Sequence, residues 1–240
     1  MLKVNAPGMK TLVVPTTYPQ NSAELAVLPV DVWGDQCEGI EVLGKEGSAW
    51  FETYLGVVGA RFVRMKDDCV RKTDAKYAPA GQTSFADGFP FLLASESSLN
   101  FTNEHIKEPI THARFRANII LQGTSPFIED TWEKVRFHGV KYLAGNAGLS
   151  TVDMSVVKPC ARCTMPNINP DTAVPDANRE PSRSMQAFRS GNAIGLKNEK
   201  WGKQVSLRSL LWGVNLFCVH IGGVNMSVFF YFGDVLTHIH

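Results

Sequence analysis

Residues 89–99 read FPFLLASESSL, and this stretch decides the fold because it joins an apolar run to a polar helix start. The first six residues are continuously apolar, which is typical of a strand that is buried on both faces. Ser95 follows and can cap a helix that continues through Leu99. The stretch therefore predicts a strand that passes directly into a helix. Hydroxyl groups at such a helix start serve either as an anion site or as a plain helix cap.

The composition is that of an ordinary globular chain. The 240 residues are 44% hydrophobic, which is enough for one large domain or two small ones. A net charge of +1 gives no strong attraction to nucleic acid or to a membrane surface. Five cysteines are an odd number, which argues against a secreted disulfide framework and favours a reducing, intracellular compartment. The first residues lack the charged and apolar regions of a signal peptide, so we expect none.

Outside residues 89–99, the pattern predicts a β-rich chain with a few short helices. We expect helices over 48–55 and 181–189, and strands over 60–65, 114–121 and 156–159. Residues 134–143 are predicted to form a hairpin around His138 and Gly139. Residues 210–232 contain no Asp, Glu, Lys or Arg. They form either a membrane span or, as we favour, a buried or misfolding-prone apolar segment.

Cys160 and Cys163 form a C-x-x-C pair with Arg162 between them. A zinc site is disfavoured because no second pair lies at a finger-like spacing. A thioredoxin-type redox pair is disfavoured because that motif opens a helix, and here Pro166 and Pro170 follow at once. Two small buried residues are the plain alternative. An adjacent guanidinium favours the thiolate form, which binds soft metals, so we favour a metal ligand.

Arg114, Arg116 and Asn118 form a second group on the predicted strand over 114–121. Residues two apart on a strand point to the same side. Guanidinium groups match a phosphate in shape, and an amide can hold the polar edge of a ring. A solvated strand face is the alternative, and the charge pattern alone does not decide between the two.

Together these stretches resemble the MOSC family, which includes the mitochondrial amidoxime-reducing component and the C-terminal domain of molybdenum cofactor sulfurase. The matching motifs are DGFPFLLASESSL at 87–99, RFRANI at 114–119, EDTW at 129–132, KPCARC at 158–163 and NPDT at 169–172. The resemblance implies a mainly β, α+β fold, in which a MOSC β-barrel follows a partial N-terminal β-barrel subdomain. We expect this subdomain over 1–80, the MOSC core over 81–204 and a divergent apolar tail over 205–240.

The resemblance implies that Cys163, and not Cys160, ligates molybdenum and is the catalytic residue. It assigns the contacts to a molybdenum cofactor to six further residues: Arg116, Asn118, Ser95, Arg162, Glu96 and Ser98. The implied activity is reduction of the N–O bond of N-hydroxylated substrates, such as amidoximes and hydroxylamines, with cytochrome b5 and its reductase as the electron donor. A non-catalytic carrier of the molybdenum cofactor and an inactive fragment are the alternatives. Family members are also described as binding pyridoxal phosphate.

The comparison with the family pattern also implies missing and added parts. Relatives begin with a strand whose basic residue and serine hold the cofactor, and we expect Met1 to follow that strand. We expect residues 144–155 to be an insertion, and the sequence after Gln204 to be a read-through or an incomplete gene model. The family suggests the mitochondrial outer membrane or the cytoplasm as the location, with membrane association open and no nucleic-acid partner.

Overall fold

A computed structural model of the chain describes residues 1–15, 26–142, 150–195, 210–220, 230–232 and 235–236. The chain divides into two compact units, Met1–Arg71 with Thr83–Asp87, and Lys72–Gln82 with Gly88–His240. Strands predominate and three short helices accompany them, which confirms the predicted mainly β, α+β class. In the part of the chain that the structure describes, the sheets are open and none closes into a barrel. The division into 1–80, 81–204 and 205–240 stays a prediction.

Small antiparallel sheets build the first unit. Strands β1 (Leu2–Val4) and β2 (Leu12–Val14) pair with each other. A three-stranded sheet has β3 (Val27–Val32), β4 (Asp35–Glu41) and β5 (Val63–Met65) in that order. The strand that the sequence predicts over 60–65 is therefore present only in its second half.

Helix α1 (Gly44–Leu55) extends the predicted helix 48–55 by about one turn at its start. It ends at Gly56, which has a φ of 66°, a left-handed conformation that favours glycine. The helix packs over the small apolar core of the unit. The buried core residues are Leu12, Val14 and Val42, with Trp50, Phe51 and Phe62 against them.

A seven-stranded sheet forms the centre of the second unit. Two short strands, β6 (Arg71–Lys72) and β7 (Gln82–Thr83), form a separate two-stranded sheet. The strands of the large sheet are β8 (Phe91–Ser95), β9 (Ile119–Leu121), β10 (Lys134–Tyr142), β11 (Ser150–Arg162), β12 (Leu210–His220), β13 (Phe230–Phe232) and β14 (Val235–Leu236). Their order is β14-β13-β10-β11-β12-β8-β9. Only β8 and β9 run parallel; all other neighbours are antiparallel.

The predicted passage from strand to helix is confirmed at β8 and α2 (Glu96–Glu104). All five residues of β8 are buried. Ser95 caps the helix, because its hydroxyl accepts a hydrogen bond from the Ser98 N–H at 3.2 Å. A third helix, α3 (Ser182–Arg189), begins one residue after the predicted start.

The predicted strand over 114–121 is wrong in its first half. His112–Arg114 forms a 3-10 turn, and Arg116 has a φ of 58°, in the left-handed region. A left-handed residue breaks the extended backbone on which side-chain alternation depends. The strand β9 therefore begins only at Ile119.

The predicted hairpin over 134–143 is also wrong, because β10 continues through it. Both halves of β10 pair with β11, and the register shifts between Phe137 and Val140. His138 and Gly139 therefore lie in a bulge, which inserts residues without reversing the chain. Of the predicted insertion 144–155, residues 150–155 belong to β11, and 144–149 lie outside the described residues.

The segment 210–220 is a central strand of the large sheet. Strand β12 pairs with β11 on one side and with β8 on the other. Its main chain lies so close to β8 that a Cβ at Gly213 would be 2.7 Å from the Leu93 carbonyl oxygen. These pairings exclude a membrane-spanning helix over 210–220. None of the described helices is long and apolar enough to cross a membrane. The origin of 205–240 stays a prediction.

Candidate functional site

The C-x-x-C pair lies at the end of β11 and not at the start of a helix. Cys160 is within the strand, and Cys163 follows its last residue. Cys163 is exposed, and its sulfur accepts a hydrogen bond from the Met165 N–H at 3.5 Å. Cys160 is half-buried, and its sulfur accepts a hydrogen bond from Arg162 Nη1 at 3.0 Å. The two thiols therefore differ, and the Cys163 sulfur is the one open to a ligand.

Arg162 links the end of β11 to the turn that carries the RFRAN motif. Its Nη2 donates a hydrogen bond to the Phe115 carbonyl oxygen at 2.9 Å, and its guanidinium lies 5.8 Å from the centre of the Phe115 ring. Its Nε is buried without a hydrogen-bond partner among the described residues. The guanidinium thus contacts the Cys160 sulfur, whereas the sequence argument placed its effect on the metal-binding thiol. A direct role of Arg162 in cofactor binding stays a prediction.

Arg114, Arg116 and Asn118 do not share one strand face, because the left-handed residue Arg116 separates their directions. Arg114 is half-buried, and its Nη1 donates to the Pro166 carbonyl oxygen at 3.2 Å, which brings it close to the segment after Cys163. Arg116 is exposed. The prediction of a common face is therefore wrong, although Arg114 contacts the segment that follows Cys163.

The Asn118 amide has a structural partner. Its Oδ1 accepts a hydrogen bond from the Leu92 N–H at 2.8 Å, and the main-chain N–H of Asn118 donates to the Leu92 carbonyl oxygen at 2.9 Å. These two bonds hold the chain before β9 against β8. The amide oxygen is thus engaged within the protein, and a contact of Asn118 with a cofactor stays a prediction.

Ser95, Ser98 and Glu129 form a buried serine–glutamate cluster, with exposed fractions of 0%, 1% and 0%. The Ser98 hydroxyl donates to Glu129 Oε1 at 2.7 Å, and the Ser95 hydroxyl donates to Glu129 Oε2 at 3.3 Å. The Phe127 N–H donates to Ser98 Oγ at 2.8 Å. The hydroxyls therefore bond inside the protein, and this arrangement matches a helix cap with a polar core better than an open anion site.

The carboxyl group of Glu129 lies in surroundings that favour its protonated form. Burial raises the pKa of Glu129, and the hydrogen bond from Ser98 opposes this effect only in part. The sequence reasoning gave Glu129 no role, although it begins the EDTW motif. The pair of adjacent acids at the start of that motif was the available signal.

The next residue, Asp130, forms a second buried contact that sequence reasoning missed. Arg189 Nη1 lies 2.8 Å from Asp130 Oδ2, and Arg189 Nε donates to the Leu211 carbonyl oxygen at 2.7 Å. The guanidinium also lies 4.1 Å from the centre of the Phe127 ring. Arg189 thereby joins α3, the 3-10 turn Ile128–Thr131 and β12.

Glu96 lies exposed in the first turn of α2. Its Oε1 accepts a hydrogen bond from Gln122 Nε2 at 2.9 Å. Burial lowers the pKa of His112, and the negative charge of Glu96 opposes that shift. No group of three His, Cys, Asp or Glu side chains that could hold a metal ion occurs among the described residues.

Comparison of the sequence with known protein families identifies a domain in the region that carries these motifs. Residues 80–201, half of the chain, match the MOSC domain, and the chain belongs to the MOSC domain family. The region includes β8, the serine–glutamate cluster and the cysteine segment.

Several curated proteins are similar over a longer stretch. The chain is 29% identical to mitochondrial amidoxime reducing component 2 of Bos taurus over 194 residues, which is 78% of this chain and 52% of that protein. It is 27% identical to mitochondrial amidoxime-reducing component 1 of Homo sapiens, with the same shares covered. It is 26% identical to molybdenum cofactor sulfurase of Danio rerio, over 79% of this chain and 23% of that protein. The chain spans about half the length of the first two relatives.

Proposed function

We propose that this chain binds a molybdenum cofactor through Cys163 and reduces the N–O bond of N-hydroxylated compounds, such as amidoximes and hydroxylamines. The observation that carries the proposal is the exposed Cys163 sulfur at the end of β11, inside the region that matches the MOSC domain. A thiolate is a soft ligand suited to such a metal. The names of the relatives, which refer to amidoxime reduction and to the molybdenum cofactor, support the same chemistry.

The described residues fit the cofactor in two different ways. Cys163 offers a sulfur ligand, and the exposed Arg116 offers a cation that suits a phosphate. Ser95, Ser98 and Asn118 bond within the protein, so we assign them to positioning the start of α2 and the chain before β9. When bound, the cofactor supplies two-electron redox chemistry, and the protein supplies binding, orientation and charge.

Arg162 is proposed as a positioning residue. Its hydrogen bond to the Phe115 carbonyl oxygen holds the end of β11 against the RFRAN turn, and Cys163 is the next residue. The same guanidinium leaves the Cys160 sulfur engaged, so Cys163 remains the thiol that can take a ligand. Glu96 is exposed in the first turn of α2, and we also propose that it contacts a cofactor or a substrate.

The partners and the location follow from the family and are proposals. Cytochrome b5 with its reductase would supply the electrons, and the word mitochondrial in the names of the relatives favours that compartment. The sulfurase of Danio rerio favours a second candidate function, a cofactor-binding domain without its own turnover. Binding of pyridoxal phosphate and membrane association stay predictions.

Expression of the full chain with a supply of molybdenum cofactor tests the proposal. Molybdenum and pterin per mole of protein are measured, together with the reduction of benzamidoxime by cytochrome b5 and its reductase. About one molybdenum per chain with benzamidoxime reduction is the expected result. Bound molybdenum without reduction would favour the second candidate. Folded protein without molybdenum would contradict both.

Substitution of the two cysteines separately tests the assignment of the ligand. Cys163→Ala should lose the molybdenum and, with it, benzamidoxime reduction, because the only proposed protein ligand is removed. Cys160→Ala should retain most of the metal, since the Cys160 sulfur contacts Arg162. Metal analysis of both variants provides the measurement. Loss of molybdenum from Cys160→Ala alone would overturn the assignment.

A further inference from the structure

The first unit contains a second pair of cysteines that are far apart in sequence. Cys37 lies in β4, and Cys69 follows the turn after β5. The Lys66 N–H donates to the Glu38 carbonyl oxygen at 3.0 Å, and the Cys69 N–H donates to the Lys66 carbonyl oxygen at 3.0 Å. The turn therefore folds back onto β4. The Cys69 sulfur accepts a hydrogen bond from the Glu38 N–H at 3.4 Å, one residue from Cys37.

The two cysteines lie beside the same cavity, and they differ in access to solvent. Cys69 Sγ accepts a hydrogen bond from the main chain of the residue that follows Cys37, and both cysteines line one cavity. Cys37 is only 5% exposed, whereas Cys69 is partly exposed. Both residues line an open cavity of about 320 Å³, together with Val27, Pro29, Gln36 and Glu38. A small molecule that enters the cavity would reach an accessible thiol with a second thiol beside it.

The surroundings of Cys37 favour the protonated form of its thiol. Burial raises the pKa of Cys37, and the neighbouring Cys69 adds to this effect. The positive charge of Arg71, which forms an ion pair with Asp35 at 2.8 Å, opposes it. The pairing of an accessible sulfur with a protonated, buried one is typical of an attacking and a resolving cysteine.

We propose that Cys37 and Cys69 are a two-cysteine modification site that low-molecular-weight disulfides, such as oxidised glutathione, convert to an intramolecular disulfide. The Cys69 thiolate attacks one sulfur of the small disulfide, forms a mixed disulfide and releases one thiol. The Cys37 sulfur then loses its proton, attacks the Cys69 sulfur and expels the second thiol. The protein loses two electrons and two protons, and the small disulfide becomes two thiols.

Closure of this disulfide would constrain the chain between residues 37 and 69, which contains α1 and β5. A cross-link that closes a loop restricts the unfolded chain and raises the melting temperature. The stability of the first unit would thereby respond to the thiol–disulfide balance around it. The site is separate from Cys160 and Cys163 in sequence and belongs to the other compact unit.

A glutathione redox titration of the full chain, followed by tryptic digestion and mass spectrometry, tests the proposal. The five cysteines fall in five different tryptic peptides, 11–45, 67–71, 142–162, 163–179 and 209–240. Each disulfide therefore has its own mass. We expect the cross-link between peptides 11–45 and 67–71 to form in the folded chain. Its absence, or its formation only in denaturant, would overturn the proposal.

Two single variants distinguish the roles of the sulfurs. In Cys37→Ser, Cys69 should accumulate as the mixed disulfide with glutathione, because no second thiol resolves it. In Cys69→Ser, Cys37 should remain a thiol under the same conditions. Oxidation should raise the melting temperature of the unsubstituted chain by roughly 5–10 °C and leave that of either variant unchanged. Equal glutathione labelling of Cys37 and Cys69 in the two variants would contradict the assigned roles.

Discussion

Asn118 shows how a residue with the chemistry of a binding site can have a structural task. Its Oδ1 accepts the Leu92 N–H, and Leu92 is only 8% exposed. Asn118→Ala should lower the free energy of unfolding by about 1–3 kcal/mol, because a buried N–H loses its partner. Denaturant titration measures the change. Asn118→Asp keeps an acceptor and should retain more of the stability.

The same two variants separate a structural role from a binding role. If Asn118 held a cofactor through its amide N–H, Asn118→Asp would lose molybdenum while the fold persisted. If the structural role is the main one, molybdenum content should follow stability in both variants. Gln122→Ala, which removes an exposed amide that bonds Glu96, is the matched control.

Glu129 predicts a pH dependence whose sign follows from its burial. Its pKa in the folded chain is raised above the ordinary value of 4.5. As the pH rises through that value, the unfolded chain loses the proton first, so the folded chain holds more protons. The free energy of unfolding contributed by this group is therefore complete at low pH and falls as the pH rises through the folded pKa.

Glu129→Gln removes this titration and keeps the shape of the side chain. We expect the variant to lose less stability than the unsubstituted protein between about pH 4.5 and neutrality. Denaturant unfolding at a series of pH values checks this expectation. Glu104→Gln, an exposed substitution, should leave the pH profile unchanged. A Glu129→Gln profile parallel to that of the unsubstituted protein would show that Glu129 does not titrate as described.

At the scale of the elements, Arg189 connects α3 to β12 and to the turn Ile128–Thr131. The Arg189 side chain is 3% exposed and pairs with Asp130. Arg189→Met should lower the free energy of unfolding by about 3–5 kcal/mol, since it leaves a largely buried carboxylate without its partner. Thermal and denaturant unfolding measure the loss.

A surface pair offers the comparison for this prediction. Arg136 and Asp153 approach to 2.6 Å, but their side chains are 62% and 40% exposed. Solvent screens such pairs, so Arg136→Met should change stability little. Similar losses of stability in Arg136→Met and Arg189→Met would show that burial does not make the Arg189–Asp130 pair more important for stability than the surface pair.

Elements with local signals could be predicted from the sequence, and elements that depend on distant partners could not. The apolar run and the serine after it predicted β8 and α2, because helix capping and strand burial depend on neighbouring residues. The left-handed backbone of Arg116 has no comparable signal, since glycine or asparagine is the usual residue there. Glycine is common both in turns and in bulges, so the sequence around Gly139 predicted a turn. Only the pairing of β10 with β11 shows that this segment is a bulge.

In the candidate site, too, local motifs could be predicted from the sequence, and contacts between distant residues could not. The motifs lie within the region that matches the MOSC domain. Which atoms of Arg162, Asn118 and the serines are already engaged depends on tertiary contacts from other elements. Glu129 enters the cluster from 31 residues beyond Ser98, a distance over which side-chain alternation carries no information.

For the whole molecule, the position of β12 makes the second unit depend on residues beyond the MOSC match. A chain that ends at Gln204 would lack β12 and leave β8 and β11 with unpaired edges. We expect this shortened chain to aggregate or to be digested rapidly, because several strands lose their neighbours. Soluble yield and limited proteolysis against the full chain are the measurements. A stable, protease-resistant shortened chain would show that β12 is dispensable.

A point substitution tests the same contact without removing a segment. Gly213 has a φ of 70°, and its added Cβ would meet the Leu93 carbonyl oxygen. Gly213→Ala should therefore destabilise the second unit. Gly88→Ala, where an added Cβ meets nothing within 4 Å, is the control. Equal stability of the two variants would argue against the close packing of β12 on β8.

The place of β12 also sets an order for assembly on the ribosome. The pairing of Val214 with Leu93 joins residues that are 121 positions apart. At typical rates of synthesis, about 5–20 residues per second, β8 waits roughly 6–24 s before its partner strand is made. During that interval a nascent chain exposes a buried strand with no neighbour on that side. Holding chaperones and the speed of translation, rather than final stability alone, would then determine how much protein a cell obtains.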